Sequence, residues 1–406
     1  MPLHIFSTSY EIYAVFLKSL YLCSSYCDIC PVADYLSNAI ALRHTLHKVP
    51  ERSFEETRTK ELLMNYIREH STLEVIDRGA WFYALWKGEG QPIAFRAEMD
   101  AVSDGGSRFG HFCGHDGHCA TLAGFAELIS QRRPDRTIYL IFQPAEEIGK
   151  GAELCAELIE EAHIEEIYAY HNIPGYREGK ILLADGIFAC ASTGMEITIT
   201  GKPTHAAYPE DGRNPALVIS KLVIYLDELV KQPHSGVFLG TVVGIDLGSD
   251  SYGVSAGRGV LRLTLRAEHQ DEFSLFVQDI ETRARDLCYE EKLECSVALI
   301  EEFSSTENDP DCVEKLRLGA KNRGLDSEEL EGPFRWSEDF GYYLKKTKGA
   351  IFGIGAGESC PQLHTSDYEY PDSIMKSAIE MFASIIGEKI PLACRIARFV
   401  RKRFIK

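Results

Sequence analysis

The sequence lacks the long apolar run that a membrane span needs. The patch from Tyr13 to Cys23 is short, is closely preceded by Glu11 and interrupted by Lys18, and has no basic segment ahead of it, so neither a bilayer-crossing helix nor a secretory signal is expected. Basic residues are scarce: 43 Lys plus Arg stand against 61 Asp plus Glu, a net charge of −18. A surface that acidic repels phosphate backbones, which argues against nucleic acid as a partner. A dense disulfide framework is missing too. The 12 cysteines are scattered along the chain, the pattern of reduced thiols in a cytoplasmic enzyme, with one or two available to a metal. No internal repeat or low-complexity tract is present. What remains is 406 residues, 45% hydrophobic and 26% charged, a globular composition of about two domains at roughly 150 residues each.

Residues 1–31 read as an N-terminal extension, because the first helix-plus-turn signal runs from Asp34 to Lys48 and ends before Pro50. From there helical stretches (about 55–70, 118–132 and 151–162) alternate with the apolar runs Ile93–Met99, Thr137–Phe142 and Ile167–Tyr170. That alternation predicts an α/β fold with a mixed, largely parallel sheet flanked by helices. The middle of the chain changes period. Met195, Ile197 and Ile199 alternate with Glu196, Thr198 and Thr200, and Leu261, Leu263 and Leu265 with Arg262, Thr264 and Arg266, as half-exposed strands do. With helices at about 215–231 and 271–289 they define an inserted α+β domain at 191–291. The main domain is then 32–190 and 292–390, leaving 391–406 as a basic C-terminal tail.

Four places carry chemistry. Cys113-Gly114-His115-Asp116-Gly117-His118 joins a thiol and imidazoles on a glycine-rich turn after the strand that ends at Asp100, and such donors bind divalent metal. Gln143-Pro144-Ala145-Glu146-Glu147 places two carboxylates after a second strand. Adjacent carboxylates repel unless a cation or a proton compensates them, and strand ends are where α/β sheets bind ligands. His171 follows the strand Ile167–Tyr170, and His364 follows the glycine-rich stretch Gly353–Gly357. Taken singly, each of these also fits an ordinary loop or core position.

Together with His47-Lys48-Val49-Pro50-Glu51, Arg96-Ala97-Glu98-Met99-Asp100-Ala101 and Ser337-Glu338-Asp339-Phe340, these segments follow the order of a known family. Over about residues 33–390 the chain resembles the aminoacylase-like metallopeptidases, in the amidohydrolase branch of hippurate hydrolase, indoleacetyl-amino-acid hydrolase and N-acetyl-diaminopimelate deacetylase. The resemblance implies two divalent metal ions held by Cys113, His115, Glu147, His171 and His364, with Glu146 as general base and Asp100 supporting the site. It also implies that the inserted domain is a lid that mediates homodimerisation. His205, in Gly201-Lys202-Pro203-Thr204-His205-Ala206-Ala207, would help hold the scissile carbonyl, in some relatives within the partner's site. A donor set of thiolate, imidazole and carboxylate suits zinc, manganese, nickel or cobalt. Ser103 stands where the family usually has proline, and Asp104–Phe109 is shortened, so substrate specificity does not carry over.

The expected activity is hydrolysis of N-acyl amino acids or related small amides. A dipeptidase or carboxypeptidase of the same family is an alternative, as is a catalytically silent small-amide binder. Two features stand outside this reading. The spacing Cys23-x-x-x-Cys27-x-x-Cys30 is one used for iron–sulfur clusters, but no barrel follows it and no cluster is expected. The residues Arg395 to Lys406 interleave basic and apolar side chains, a pattern able to touch an anionic surface, although a frayed terminus is the simpler expectation.

Overall fold

The computed structural model describes residues 32–387 apart from residue 107. The extension at 1–31 with its Cys23, Cys27 and Cys30, and the basic tail at 391–406, lie outside the described residues.

The chain begins with α1 (Val32–Leu46) and α2 (Thr57–His70), then β1 (Glu74–Asp77), β2 (Phe82–Trp86) and β3 (Gly90–Glu98). A short hairpin, β4 (Val102–Ser103) and β5 (Phe109–Gly110), leads into α3 (His115–Arg132) and β6 (Arg136–Gln143). The helix expected at 151–162 is split into α4 (Gly151–Cys155) and α5 (Glu157–Glu161), followed by β7 (Glu166–Pro174), β8 (Ile181–Leu183) and β9 (Ile187–Ala189). A second unit follows: β10 (Ala191–Thr200), α6 (Ala216–Leu229), β11 (Phe238–Leu247), β12 (Arg258–Ala267), α7 (Gln270–Glu290) and β13 (Glu294–Phe303). The chain then returns through β14 (Thr306–Glu307), α8 (Pro310–Arg323), β15 (Ser327–Glu329), α9 (Gly341–Leu344), β16 (Lys348–Gly357) and α10 (Met375–Ile385).

The large sheet has eight strands in the order β1-β2-β6-β3-β7-β16-β8-β15. Its centre is parallel, β6 with β3, β3 with β7 and β7 with β16. Parallel strands are buried on both faces, and the side chains divide accordingly. Phe95, Phe142, Tyr170 and Phe352 pack with α1, α2, α3, α8 and α10 on one face. Ala94, Ile141, Ile167 and Ile351 pack with α4, α5 and the Phe340–Tyr343 segment on the other. Each large side chain removed from water contributes about 1.5–3 kcal/mol.

The small sheet is antiparallel, in the order β11-β12-β10-β13. Met195, Ile197, Ile199, Leu261, Leu263 and Leu265 face α6 and α7 in a separate core, the alternation read from the sequence. One boundary shifts. Strand β13 pairs along β10 from Thr200↔Glu294 to Ser192↔Phe303, so the small unit extends to Phe303 instead of stopping at 291. Its strand reads poorly in the sequence because it is an edge with a mostly exposed surface.

Candidate metal centre

The parallel strands deliver their side chains to one end of the large sheet. Past the end of β3 comes Asp100, past β6 come Glu146 and Glu147, and β16 leads to His364. His171 was expected just past a strand. It lies inside β7, which continues to Pro174 and pairs His171 with Gly353 of β16. Cys113 precedes α3, and His115 is that helix's first residue.

The loops are bent to bring these groups together. Ala145 has a left-handed backbone (φ 52°), as does His364 (φ 62°), conformations that cost energy for a residue with a side chain and that cluster at functional sites. The turn into Glu146 is held by the Ala145 N–H donating to Glu56 Oε1 at 2.8 Å. His364 is tied to the Cys113 loop through its N–H to the Phe112 carbonyl, 2.8 Å. The glycines near His115 allow close packing, and Gly114 has the left-handed backbone (φ 93°) of the turn between Cys113 and His115. A Cβ at Gly114 would lie 2.6 Å from Asn172 Oδ1, and one at Gly117 would lie 2.5 Å from the Tyr370 ring.

All five expected donors converge. Cys113 Sγ lies 3.6 Å from His171 Nε2. His115 Nε2 is 3.8 Å from Glu147 Oε1 and 3.9 Å from Glu146 Oε2. His364 Nε2 is 3.4 Å from Glu147 Oε2. Two trios, Cys113-His115-His171 and Cys113-Glu147-His364, each place their donor atoms within 4.8 Å of one another, and Cys113 belongs to both. Asp100 stands behind them. Its Oδ2 accepts from Ser53 Oγ at 2.8 Å and from the Glu147 N–H at 3.0 Å, and its Oδ1 sits 3.3 Å from His115 Nδ1. His115 Nδ1 also contacts the Asp100 carbonyl at 3.0 Å. That fixes the tautomer and turns the Nε2 lone pair toward the cluster.

The cluster asks for a positive ion. His115 Nε2 and Glu147 Oε1 are buried with no hydrogen-bond partner, which a native protein rarely tolerates. Burial pushes the Cys113 thiol well up, and the Glu147 charge adds to the effect. Burial, then the charges of Glu338 and Asp339, raise Glu146 well above the carboxylate range, and Glu147 is pushed up to about 7, chiefly by burial. Burial and the neighbouring His118 hold His171 well below the usual imidazole value, so it is neutral and ready to donate a lone pair. Orphaned donors, unionised acids and a neutral imidazole fit one or two divalent cations. His118 is otherwise engaged, with its ring nitrogens on Glu98 and Asn172.

A cavity of about 480 Å³ opens over the cluster. Cys113, Glu146, Glu147, His171 and His364 line it. Sequence reading assigned no site role to several others there: Arg266 and Ser192 from the small sheet, and Trp336 and Ser337 from the large domain. Arg266 lies on the polar face of an alternating strand, where it reads as a solvated charge. In the fold it donates to the Arg335 carbonyl at 3.1 Å and to Ser337 Oγ at 2.9 Å. No carboxylate pairs with it among the described residues, and burial lowers its pKa. His205 is exposed on a loop of the small unit, its Nδ1 accepting from the Ala207 N–H at 3.0 Å, and is not among the residues lining this cavity. The shortened segment after Asp100 forms the β4–β5 hairpin, also away from the lining.

A parallel sheet whose strand ends gather metal donors beneath a smaller antiparallel unit is an arrangement suited to metal-assisted hydrolysis. Residues 94–388 match the model of the peptidase family M20/M25/M40, and the chain belongs to that family. Proteins named N-acetyldiaminopimelate deacetylase are among its relatives. That of Shouchella clausii is 27% identical over 375 residues, covering 88% of this chain and 99% of its own length, and that of Bacillus licheniformis is 26% identical over 373 residues, covering 87% and 99%. Among solved structures, the YXEP protein of Bacillus subtilis, described as a dinuclear metal binding peptidase of the M20 family, superposes with a TM-score of 0.72 at 23% identity, covering 87% of this chain and 98% of that one. No helix among the described residues is long and apolar enough to cross a membrane.

Proposed function

We propose that this M20-family enzyme hydrolyses N-acyl amino acids, with Cys113, His115, Glu147, His171 and His364 holding two divalent cations and Glu146 moving the proton. The observation that carries this reading is the pair of donor trios meeting at Cys113 with Glu146 at their edge. The deacetylase names of the relatives and the dinuclear description of the YXEP protein support it.

When bound, such a cation pair lowers the pKa of a water toward neutrality and polarises an amide carbonyl. The chain's own residues do the rest. Glu146 is 6% exposed, and its one hydrogen bond among the described residues is a long 3.4 Å contact from the Asp339 N–H; cations held beside it would offset the acid charges that keep it protonated and leave a carboxylate able to take a proton from water. Its raised affinity for a proton suits it to hold that proton and pass it to the leaving nitrogen. Asp100 positions His115 and the Glu147 backbone. Arg266 offers an uncompensated guanidinium to the free carboxylate of the amino acid product. Trp336, its ring 5.2 Å from that of His171 and stacked on Phe334 at 4.8 Å, forms an apolar wall for the acyl group.

His205 is assigned to the carbonyl of a substrate bound in a partner subunit, because it is exposed on the small unit and absent from its own chain's cavity. The edge strand β11 supports a homodimer through that unit. It exposes Val243 at 64% and Ile245 at 46%, an apolar edge of the kind that pairs with a second chain. The test is metal analysis of the purified protein together with hydrolysis of N-acetyl and N-benzoyl amino acids beside free dipeptides. Stoichiometric metal and release of free amino acid from the acyl substrates, lost in Glu146→Gln, support the reading. A metal-free protein indifferent to that change overturns it, and preference for dipeptides reassigns the substrate.

A further inference from the structure

The return strand β13 contains an irregularity at the mouth of the cavity. Ser192 of β10 pairs with Phe303 and Gly194 with Ile300, so β13 carries one residue more than its partner over that interval. This is a β-bulge, and Glu301 within it has a left-handed backbone, φ 52°. Glycine would adopt that conformation without strain. A glutamate there is a costly choice, and the bulge is clamped from the other side by Tyr342 Oη donating to the Glu302 carbonyl at 3.2 Å.

The consequence is positional. Glu301 lines the same cavity as Cys113, Glu147, His171 and His364. It is exposed, and no hydrogen bond or ion pair engages its side chain among the described residues. Two other left-handed residues that are not glycine, Ala145 and His364, also belong to the site's loops. The cavity wall therefore presents a free anion at Glu301 as well as the cation of Arg266. A single carboxylate at an open rim makes a poor metal site but a good partner for an ammonium or guanidinium group.

We infer that Glu301 is a specificity residue that reads a cationic group on the amino acid side of the substrate, the kind of group that the diamino acid in the relatives' names would present. This rests on the amidohydrolase reading above and narrows its substrate class. Bulges beside active sites serve to re-aim a side chain, and here the re-aimed group is a charge.

The experiment uses the full-length, metal-loaded enzyme and three matched probes, each in N-acetyl and N-benzoyl form: lysine, norleucine and glutamate derivatives acylated at the α-nitrogen. Norleucine keeps the length of lysine's chain and lacks its ammonium. Wild type should show kcat/KM about tenfold higher for the lysine than for the norleucine derivative, a preference that falls as salt is added. Glu301→Gln should bring that ratio close to one. Glu301→Gly, which suits the left-handed backbone, should do the same even if the glutamine variant folds poorly. Glu301→Lys should favour the glutamate derivative. A wild-type ratio near one, or a ratio unchanged in these variants, overturns the inference while leaving the hydrolase reading intact. No turnover of any probe by wild type overturns both.

Discussion

Two acid clusters sit side by side at the end of the large sheet, and they resolve the same electrostatic problem differently. In the first, Glu98, Glu338 and Asp339 surround Arg96, which is 1% exposed. Gln143 bridges Arg96 to Asp339, and the Ala152 N–H donates to the Asp339 carboxylate at 2.9 Å. In the second, Asp100, Cys113, Glu146 and Glu147 gather around imidazoles with no arginine or lysine among them, and three buried polar atoms, Asp100 Oδ1, His115 Nε2 and Glu147 Oε1, are left without hydrogen-bond partners. A buried carboxylate needs a counter-charge. The chain supplies one to the first cluster and must take one from solution for the second. The first cluster is therefore structural. The second is where, on the reading proposed above, an ion and a substrate bind.

The largest test of that contrast is Glu146→Gln. It removes the proposed proton carrier of the second cluster, and hydrolysis should fall by about 10²–10⁴-fold with the melting temperature unchanged or slightly raised. A loss of fold instead would mean that both clusters are structural. Arg96→Leu attacks the first cluster. It strands three buried acids and should cost about 3–5 kcal/mol, measured by denaturant unfolding, and adding Glu98→Gln and Glu338→Gln should recover part of that loss. Dialysis against a chelator sharpens the contrast further. It should lower the melting temperature by several degrees through mass action, with recovery on adding zinc or manganese, and the shift should shrink in Cys113→Ser.

The smallest effect is a pH dependence. Glu56, 4% exposed, is pushed up to about 7, first by burial and then by the nearby Asp100 charge. Below its ordinary value near 4.5 it is protonated in both folded and unfolded chains and costs nothing. As pH rises from there to about 7 the unfolded chain loses the proton first, so folding becomes less favourable, and above 7 the penalty is complete. Glu56→Gln should therefore melt a few degrees above wild type at pH 8 and together with it at pH 4. A constant difference across that range would show that ionisation is not the cause.

Much of the second cluster was legible in the sequence and little of the first. Cys113, His115, Glu146 and Glu147 occur in short, dense motifs, and strand ends mark where they meet. Arg96 and Asp339 are 243 residues apart, so no local pattern reveals their pairing. Period also governed what could be read of the fold. The Ile197 and Leu263 strands alternate cleanly because one face is buried and the other wet. Strand β13, with both faces largely exposed, leaves no such trace, and the boundary at 291 was misplaced for that reason. Arg266 was visible as a residue, but only the packing of Ser337 against it shows that it faces a cavity.

The strand order has a consequence for synthesis. Strand β16, residues 348–357, lies between β7 and β8, so the middle of the large sheet is completed by a segment translated long after its neighbours. Until it emerges from the ribosome, β7 keeps an open edge while the whole small unit is being made. The small sheet uses only residues 191–303 and can close first. The small unit thus has all its strands before the large sheet does, and the half that carries the metal donors is the last to be completed in synthesis.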